Sequence, residues 1–311
     1  MRSSRGRLLS AALALGLLAA GAWVLGRELS RLSPAQLREA VAGLPPARLL
    51  GAAACALGAY LSLAGLDWLA LHHLQARLPR AKSTVAALTG FALSNSVGWN
   101  VVAGASVRYR FYGRWGLPAR DLAWLVSSNV VGFWLAMAAW GGATLLGATE
   151  PGLGLVPDAL ARTVGLIAAG SAAAYLLVGL AGLRAAGPLT LGLGARRFRF
   201  PPPSWVLGQL LFSGLHWGLA AALLYLLLPP GLGLDYPDLA GSFLAAQLLG
   251  VLSQVPAGLG VFEATLLGLL AVRAPASSLL PGLLLYRAFY YLLPLLVGLT
   301  VLALDALRHR S

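Results

Sequence analysis

Three ionisable side chains lie inside or beside long apolar runs: Arg108, Glu263 and Arg287. A charge at bilayer depth is costly unless it meets a partner or a wet cavity, so each marks either a locking ion pair or a solute site. Two readings stay open. Glu263 can pair with Arg108 or Arg287 and hold segments together. Alternatively, Arg108 and Arg287 bind a phosphate, while Glu263 receives a cationic group or releases Arg108. The polar residues nearby are Asn100, Gln254, Tyr112 and Tyr290, and the helix-breaking ones are Gly104, Pro256, Gly258 and Gly260. Asn100, Gly104, Arg108 and Tyr112 belong to a break at Ser94-Asn95-Ser96-Val97-Gly98-Trp99-Asn100 and its exit. The rest belong to Ser253-Gln254-Val255-Pro256-Ala257-Gly258-Leu259-Gly260-Val261-Phe262-Glu263 and Tyr286-Arg287-Ala288-Phe289-Tyr290-Tyr291.

Other chemistries lack their residues. His72 and His73 are adjacent and point about 100° apart on a helix, and His216 and His309 are distant in sequence, so no metal-ligand spacing occurs. The Gly-Leu-Gly triplets at 152, 192, 231 and 258 never extend to a dinucleotide fingerprint, and no Walker sequence is present. No cofactor is expected. Asp67, beside Trp68, reads as an interfacial or paired carboxylate rather than a catalyst. A lone Cys55 allows no internal disulfide. An intramembrane enzyme would need a nucleophile and base at recognisable spacing, which are not found.

What positions these residues is set by composition. The 311 residues are 59% hydrophobic and 11% charged, with mean hydropathy +0.78, whereas about a quarter of a soluble domain is charged. The chain belongs in lipid. Its excess of 23 basic over 10 acidic residues would suit nucleic acid in a soluble protein. Here the arginines cluster in short loops between apolar runs, as expected of cytoplasmic loops, and nucleic acid is not an expected partner.

Six runs are long enough to span: 8–26 as a retained anchor, 48–71, 121–147, 160–183, 205–228 and 279–304, each near or above the ~20 residues a crossing needs. Two further regions, 83–112 and 239–272, are interrupted by small, polar or Pro residues and read as re-entrant hairpins. With the N-terminus inside, sixteen of the 23 basic residues fall on the cytoplasmic side and six outside, a bias that weakens if either hairpin crosses fully. Arg110, Arg114 and Arg120 are then expected near headgroups, and Tyr109, Tyr112 and Tyr290 can serve as interfacial aromatics. Between the first two spans a short surface helix is expected, with Ser33 as N-cap, Pro34 at its first position, Gln36 completing a capping box, and Gly43 and Pro45 ending it.

Displacing the sequence by 154 residues lays Asn100–Val107 on Gln254–Val261 with four of eight positions identical. The match falls on both breaks, and the two hairpins open from opposite sides. An inverted repeat with broken helices places binding sites near the midplane.

These residues also resemble a family. The G-x-x-x-R-Y-x-x-Y exit from Gly104 to Tyr112, the V-P-x-G-L-G-V-F-E stretch from Val255 to Glu263, and Y-R-x-x-Y-Y-x-x-P from Tyr286 to Pro294 look like the membrane domain of the lysylphosphatidylglycerol synthase and flippase proteins, the multiple peptide resistance factor family. The resemblance covers most of 48–304; Ala257 stands where the family typically has Gly. It implies lipid translocation, without the aminoacyl-tRNA-dependent synthase domain that full-length members carry.

The expectation is an all-α polytopic protein of the bacterial inner membrane, both termini cytoplasmic, with about six spans and two re-entrant hairpins. Its parts are an anchor and surface helix at 1–47, a first half at 48–183, a cytoplasmic linker at 184–204 and a second half at 205–311. It would move phosphatidylglycerol or an aminoacylated phospholipid between leaflets; the alternative is a non-transporting partner of a separately encoded lipid-modifying enzyme. Expected partners are membrane phospholipids, with a separate aminoacyltransferase and a second copy of the chain as further candidates.

Overall fold

The computed structural model describes residues 34–97, 100–147, 157–181, 202–271 and 273–308, strand backbone at 190–193 and 196–199, and helical positions 16, 19, 22, 23, 26 and 27. Apart from those positions, the expected anchor at 8–26 lies outside the described residues.

The elements run α1 (Pro34–Ala42), α2 (Pro46–His73), α3 (Arg80–Val97), α4 (Asn100–Tyr112), α5 (Ala119–Gly147), α6 (Asp158–Ala181), β1 (Thr190–Leu193), β2 (Arg196–Arg199), α7 (Pro203–Leu227), α8 (Tyr236–Leu252), α9 (Val261–Leu270), α10 (Ala276–Arg287) and α11 (Leu293–Arg308). A 3-10 turn, Pro256–Gly258, sits between α8 and α9, and a π turn, Ala288–Leu292, joins α10 to α11. Prolines set many starts: α1, α2 and α7 each begin on one, where the missing N–H would have no partner in any case. The described part of the expected short helix is Pro34–Ala42, its expected N-cap Ser33 lies outside the described residues, and α1 packs on α10.

Among the described residues five helices are long and apolar enough to cross a membrane: α2, α5, α6, α7 and the α10–α11 unit. At 1.5 Å per residue, the 28 residues of α2 extend about 42 Å. The 13 residues of α4 and the 10 of α9 reach only about 20 and 15 Å, short of the ~30 Å hydrocarbon layer. Each short helix folds back on its predecessor, α4 on α3 and α9 on α8, giving two helical hairpins. The linker carries one departure from an all-helical chain, the antiparallel ribbon β1–β2, in which Thr190 faces Arg199 and Leu193 faces Arg196.

The element order repeats. Long, short, short, long begins at 46, 80, 100 and 119, and again at 203, 236, 261 and 276. Packing repeats with it: α3 lies on α11 as α8 lies on α5. At the centre α2 and α7 run antiparallel, which inverts one half against the other. Arg48, at the start of α2, donates from Nε to Leu226 O (2.9 Å) and from Nη2 to Tyr225 O (2.8 Å), capping the end of α7. Farther along, a Cβ on Gly51 would lie 3.1 Å from Leu226, on Gly58 3.0 Å from Leu219, and on Gly65 2.4 Å from Phe212. Glycine every seventh residue of α2 thus receives a large side chain every seventh residue of α7, the close approach that small residues permit between helices in lipid.

The sequence displacement of 154 needs correction in detail. The long helices and the first hairpin legs are displaced by 156 or 157 residues, from 46, 80 and 119 to 203, 236 and 276. Residues matched at 154 therefore differ in conformation: Asn100–Val107 is helical in α4, while Gln254–Gly260 is an unwound connection. The second break holds more residues between its helices, so an ungapped displacement tuned to the motif falls two or three residues short of the elements.

Substituting Gly65→Ala should lower the thermal midpoint of the detergent-purified protein by the equivalent of about 1–3 kcal/mol, the usual cost of overpacking. Gly170→Ala in α6, where a Cβ would meet nothing within 4 Å, should leave it unchanged or raised.

Candidate functional site

Arg108 does not face Glu263. Its guanidinium lies on Asp67 of α2, with Nε 3.2 and 3.0 Å from the two carboxylate oxygens and Nη2 2.9 Å from Oδ1. Tyr112 donates to Asp67 Oδ2 at 2.7 Å and Asn129 Nδ2 to Oδ1 at 2.6 Å. Asp67 is fully buried and Arg108 is 3% exposed. A carboxylate with this many donors is well compensated, and it ties α2, α4 and α5 into one unit. The Gly-x-x-x-Arg spacing has a steric reason. Arg108 lies back across its own helix, and a Cβ on Gly104 or Gly90 would come within 3.1 or 3.0 Å of Nη1. The guanidinium also covers the Phe91 ring at 4.2 Å.

At the same end of the bundle Asp305 of α11 accepts from Arg110 Nε at 2.8 Å and Arg114 Nη2 at 2.7 Å. These two arginines, expected near headgroups, also share a carboxylate, because Asp305 at the end of α11 reaches the exit of the first hairpin. Tyr109 is 41% exposed, but Tyr112 and Tyr290 are buried and so are not interfacial aromatics.

The second hairpin has its own pair, Glu263 with Arg287 of α10. Glu263 Oε2 also accepts from Gly260 N at 2.9 Å, starting α9 with the sequence's own capping group. Between α8 and α9 the backbone enters the left-handed region four times, at Gln254 (φ 55°), Ala257 (52°), Gly258 (60°) and Gly260 (81°). Two of these are glycines, as the conformation favours. Ala257 is not, and its φ explains why a glycine is the expected residue there. Gly258 also lies against Gly250, where a Cβ would sit 3.2 Å from the Gly250 Cα.

This break and the end of α3 meet at a small cleft of about 40 Å³, lined by Asn95, Gln247, Gln254, Ala257 and Gly258, and by Phe133, Trp217, Tyr290 and Tyr291. Phe133, Trp217 and the two tyrosines lie near the midpoints of α5, α7 and the α10–α11 unit. The cleft is therefore at the middle of the bundle's depth. Behind it runs a buried polar chain. Pro294 has no N–H for the Tyr290 carbonyl four residues back, and the Tyr60 hydroxyl donates to that oxygen at 2.9 Å. His216 Nδ1 lies 3.2 Å from Ala59 O, which can only accept, so Nδ1 carries the proton and Nε2 accepts from the Tyr290 hydroxyl at 3.0 Å. Gln247 Nε2 donates to the Tyr286 hydroxyl at 3.0 Å.

The predicted residues thus separate. Gln254 and Gly258 line the cleft with Tyr290; Pro256 and Gly260 shape its backbone; Glu263 and Arg287 pair beside it, the guanidinium carbon 5.7 Å from the Tyr291 ring. Arg108, Tyr112 and Gly104 belong to the Asp67 cluster. Asn100 opens α4, and its side chain lies outside the described residues. Sequence reasoning passed over Trp217 and Gln247, placed Asn95 only within the first break, and weighed His216 only as a metal ligand. Gln247 carried a usable signal, an amide in the middle of an apolar helix. Among the described residues no group of three His, Cys, Asp or Glu could hold a metal ion.

The profile of the family described as lysylphosphatidylglycerol synthase TM region matches residues 8–298. The chain belongs to that family. Relatives within reach of this lysylphosphatidylglycerol synthase TM-region chain include an uncharacterized protein of Synechocystis sp., 33% identical over 86% of this chain and 83% of its own length. The inner membrane protein YbhN of Escherichia coli is 28% identical over 81% of this chain and 78% of its own length. Phosphatidylglycerol lysyltransferase of Staphylococcus xylosus matches 89 residues at 38% identity, 28% of this chain and 11% of that enzyme. The protein is a multi-pass membrane protein of this family.

Removing one member of the Asp67 cluster leaves a buried charge behind. Asp67→Asn should cost about 3–5 kcal/mol, read as a lowered midpoint in detergent, whereas Asp238→Asn, at the half-exposed pair with Arg273, should cost under about 1 kcal/mol. In the break, Ala257→Gly should stabilise by roughly 0.5–1 kcal/mol by relieving the left-handed strain, measured by the same unfolding.

Proposed function

We propose that this protein moves phospholipid between the leaflets of the bacterial inner membrane, with phosphatidylglycerol or an aminoacylated derivative as substrate. The observation that carries the reading is the polar-lined cleft at mid-depth, where the break of the second hairpin meets the end of α3. Non-helical backbone at that depth is tolerated when it is buried in protein or lines a cavity, and inverted repeats put solute sites at such breaks. A headgroup could pass there while its acyl chains stay in lipid. The partial match to phosphatidylglycerol lysyltransferase supports a phosphatidylglycerol-type lipid.

In this reading Glu263 and Arg287 form the charged flank of the path, and Gln254 and Tyr290 line it. Arg108 and Tyr112 hold the first hairpin in place through Asp67 and do not touch the lipid. The excess of basic residues at the Asp305 end of the bundle favours that end as cytoplasmic.

Proteoliposomes with labelled phosphatidylglycerol test this directly. Vesicles with the protein should exchange label between leaflets faster than protein-free vesicles, and Glu263→Gln should slow the exchange by about tenfold or more, the loss of one charge-assisted contact. Exchange no faster than in protein-free vesicles would refute translocation, and a full rate in Glu263→Gln would remove that residue from the path.

A further inference from the structure

We infer that the mid-depth cleft recognises the phosphodiester group itself, through two uncharged donors, the Asn95 side-chain amide and the Trp217 indole N–H; this inference rests on the translocation reading above. Both residues line the cleft. Asn95 Nδ2 is buried beside the Tyr60 hydroxyl without a hydrogen bond of normal geometry, and Trp217 Nε1 is buried with no hydrogen bond. Trp217 as a whole is 3% exposed. A buried donor left without an acceptor carries the full desolvation penalty, so two of them at one cavity need a reason.

An acceptor that arrives with the substrate supplies it. Asn95 belongs to α3 in the first half and Trp217 to α7 in the second, so a ligand accepting from both bridges the halves. A phosphodiester offers two non-bridging oxygens that share one negative charge, one for each donor. Hydrogen bonds to a charged acceptor are the stronger kind. The cleft lining contains no acidic or basic side chain among the described residues, so nothing in it repels the anion and no cation traps it. The nearby Arg287 is already paired with Glu263. Uncharged donors suit a site that must bind well enough to admit a headgroup and weakly enough to release it, as in ion-conducting pores.

The phosphodiester is common to all glycerophospholipids, so the cleft should accept phosphatidylglycerol and phosphatidylethanolamine alike and reject a glycosyl diacylglycerol of similar size. The full chain, with its indoles ¹⁵N-labelled and in detergent micelles, can be titrated with dihexanoyl phosphatidylglycerol, dihexanoyl phosphatidylethanolamine and decanoate, the Trp217 resonance being identified by its loss in Trp217→Phe. Both phospholipids should shift that resonance at similar concentrations, and Asn95→Leu should weaken the response about tenfold or more. In proteoliposomes Trp217→Phe, which keeps an aromatic ring, should slow labelled phosphatidylglycerol exchange by a similar factor. Exchange in the unmodified protein without any Trp217 shift would overturn the donor assignment and leave translocation standing. A shift without exchange would refute translocation and leave the site. An equal shift with decanoate, or transport of the glycolipid, would overturn the phosphodiester assignment.

Discussion

The backbone contact between α2 and α7 is the constraint on which the other packing depends. In lipid, apolar side chains gain nothing by leaving one apolar surface for another, so helices associate through close packing and internal polar contacts. Gly51, Gly58 and Gly65 let α7 approach along the length of α2, and Leu226, Leu219 and Phe212 fill the space. Once two long helices are fixed antiparallel, the hairpins that follow them lie in opposite directions. Each then takes its support from the far half: α3 from α11, and α8 from α5.

Charge is handled locally, in two one-to-one pairs and one carboxylate shared by two arginines. Asp67 meets Arg108, Asp305 meets Arg110 and Arg114, and Glu263 meets Arg287. The sign pattern is reversed between halves, with arginine on the short leg of the first hairpin and glutamate on that of the second. The two hairpins are therefore alike in topology and unlike in chemistry. The connection of the second carries a run of left-handed residues between Gln254 and Gly260. Strain of that kind persists where the surrounding structure over-determines it, here through the Glu263 cap and the close contact of Gly258 with Gly250.

Much of the architecture was legible in the sequence because it follows from local quantities. Run length and polarity located the five described spans, and small and Pro residues marked both breaks. What could not be read was partner choice. Arg108 and Asp67 are 41 positions apart, and Arg110 and Asp305 are 195 apart; nothing in the intervening residues says which carboxylate an arginine will meet. The reading centred on charges also overlooked neutral groups. His216 was set aside for lacking metal-ligand company, although its role is to receive the Tyr290 hydroxyl. Tyr290 in turn is placed by Pro294, whose missing N–H frees a carbonyl for Tyr60. Such substitutions of one donor for another become visible only when the helices are side by side.

The neutrality of the cleft bears on how it would respond to the membrane potential. A lining without formal charge has none of its own to move through the field, and the paired groups beside it sum to zero. Any net charge displaced during a transit would be that of the passenger, about 2.3 kcal/mol per elementary charge for each 100 mV crossed. An anionic lipid would then feel the voltage in full, and a zwitterionic one hardly at all.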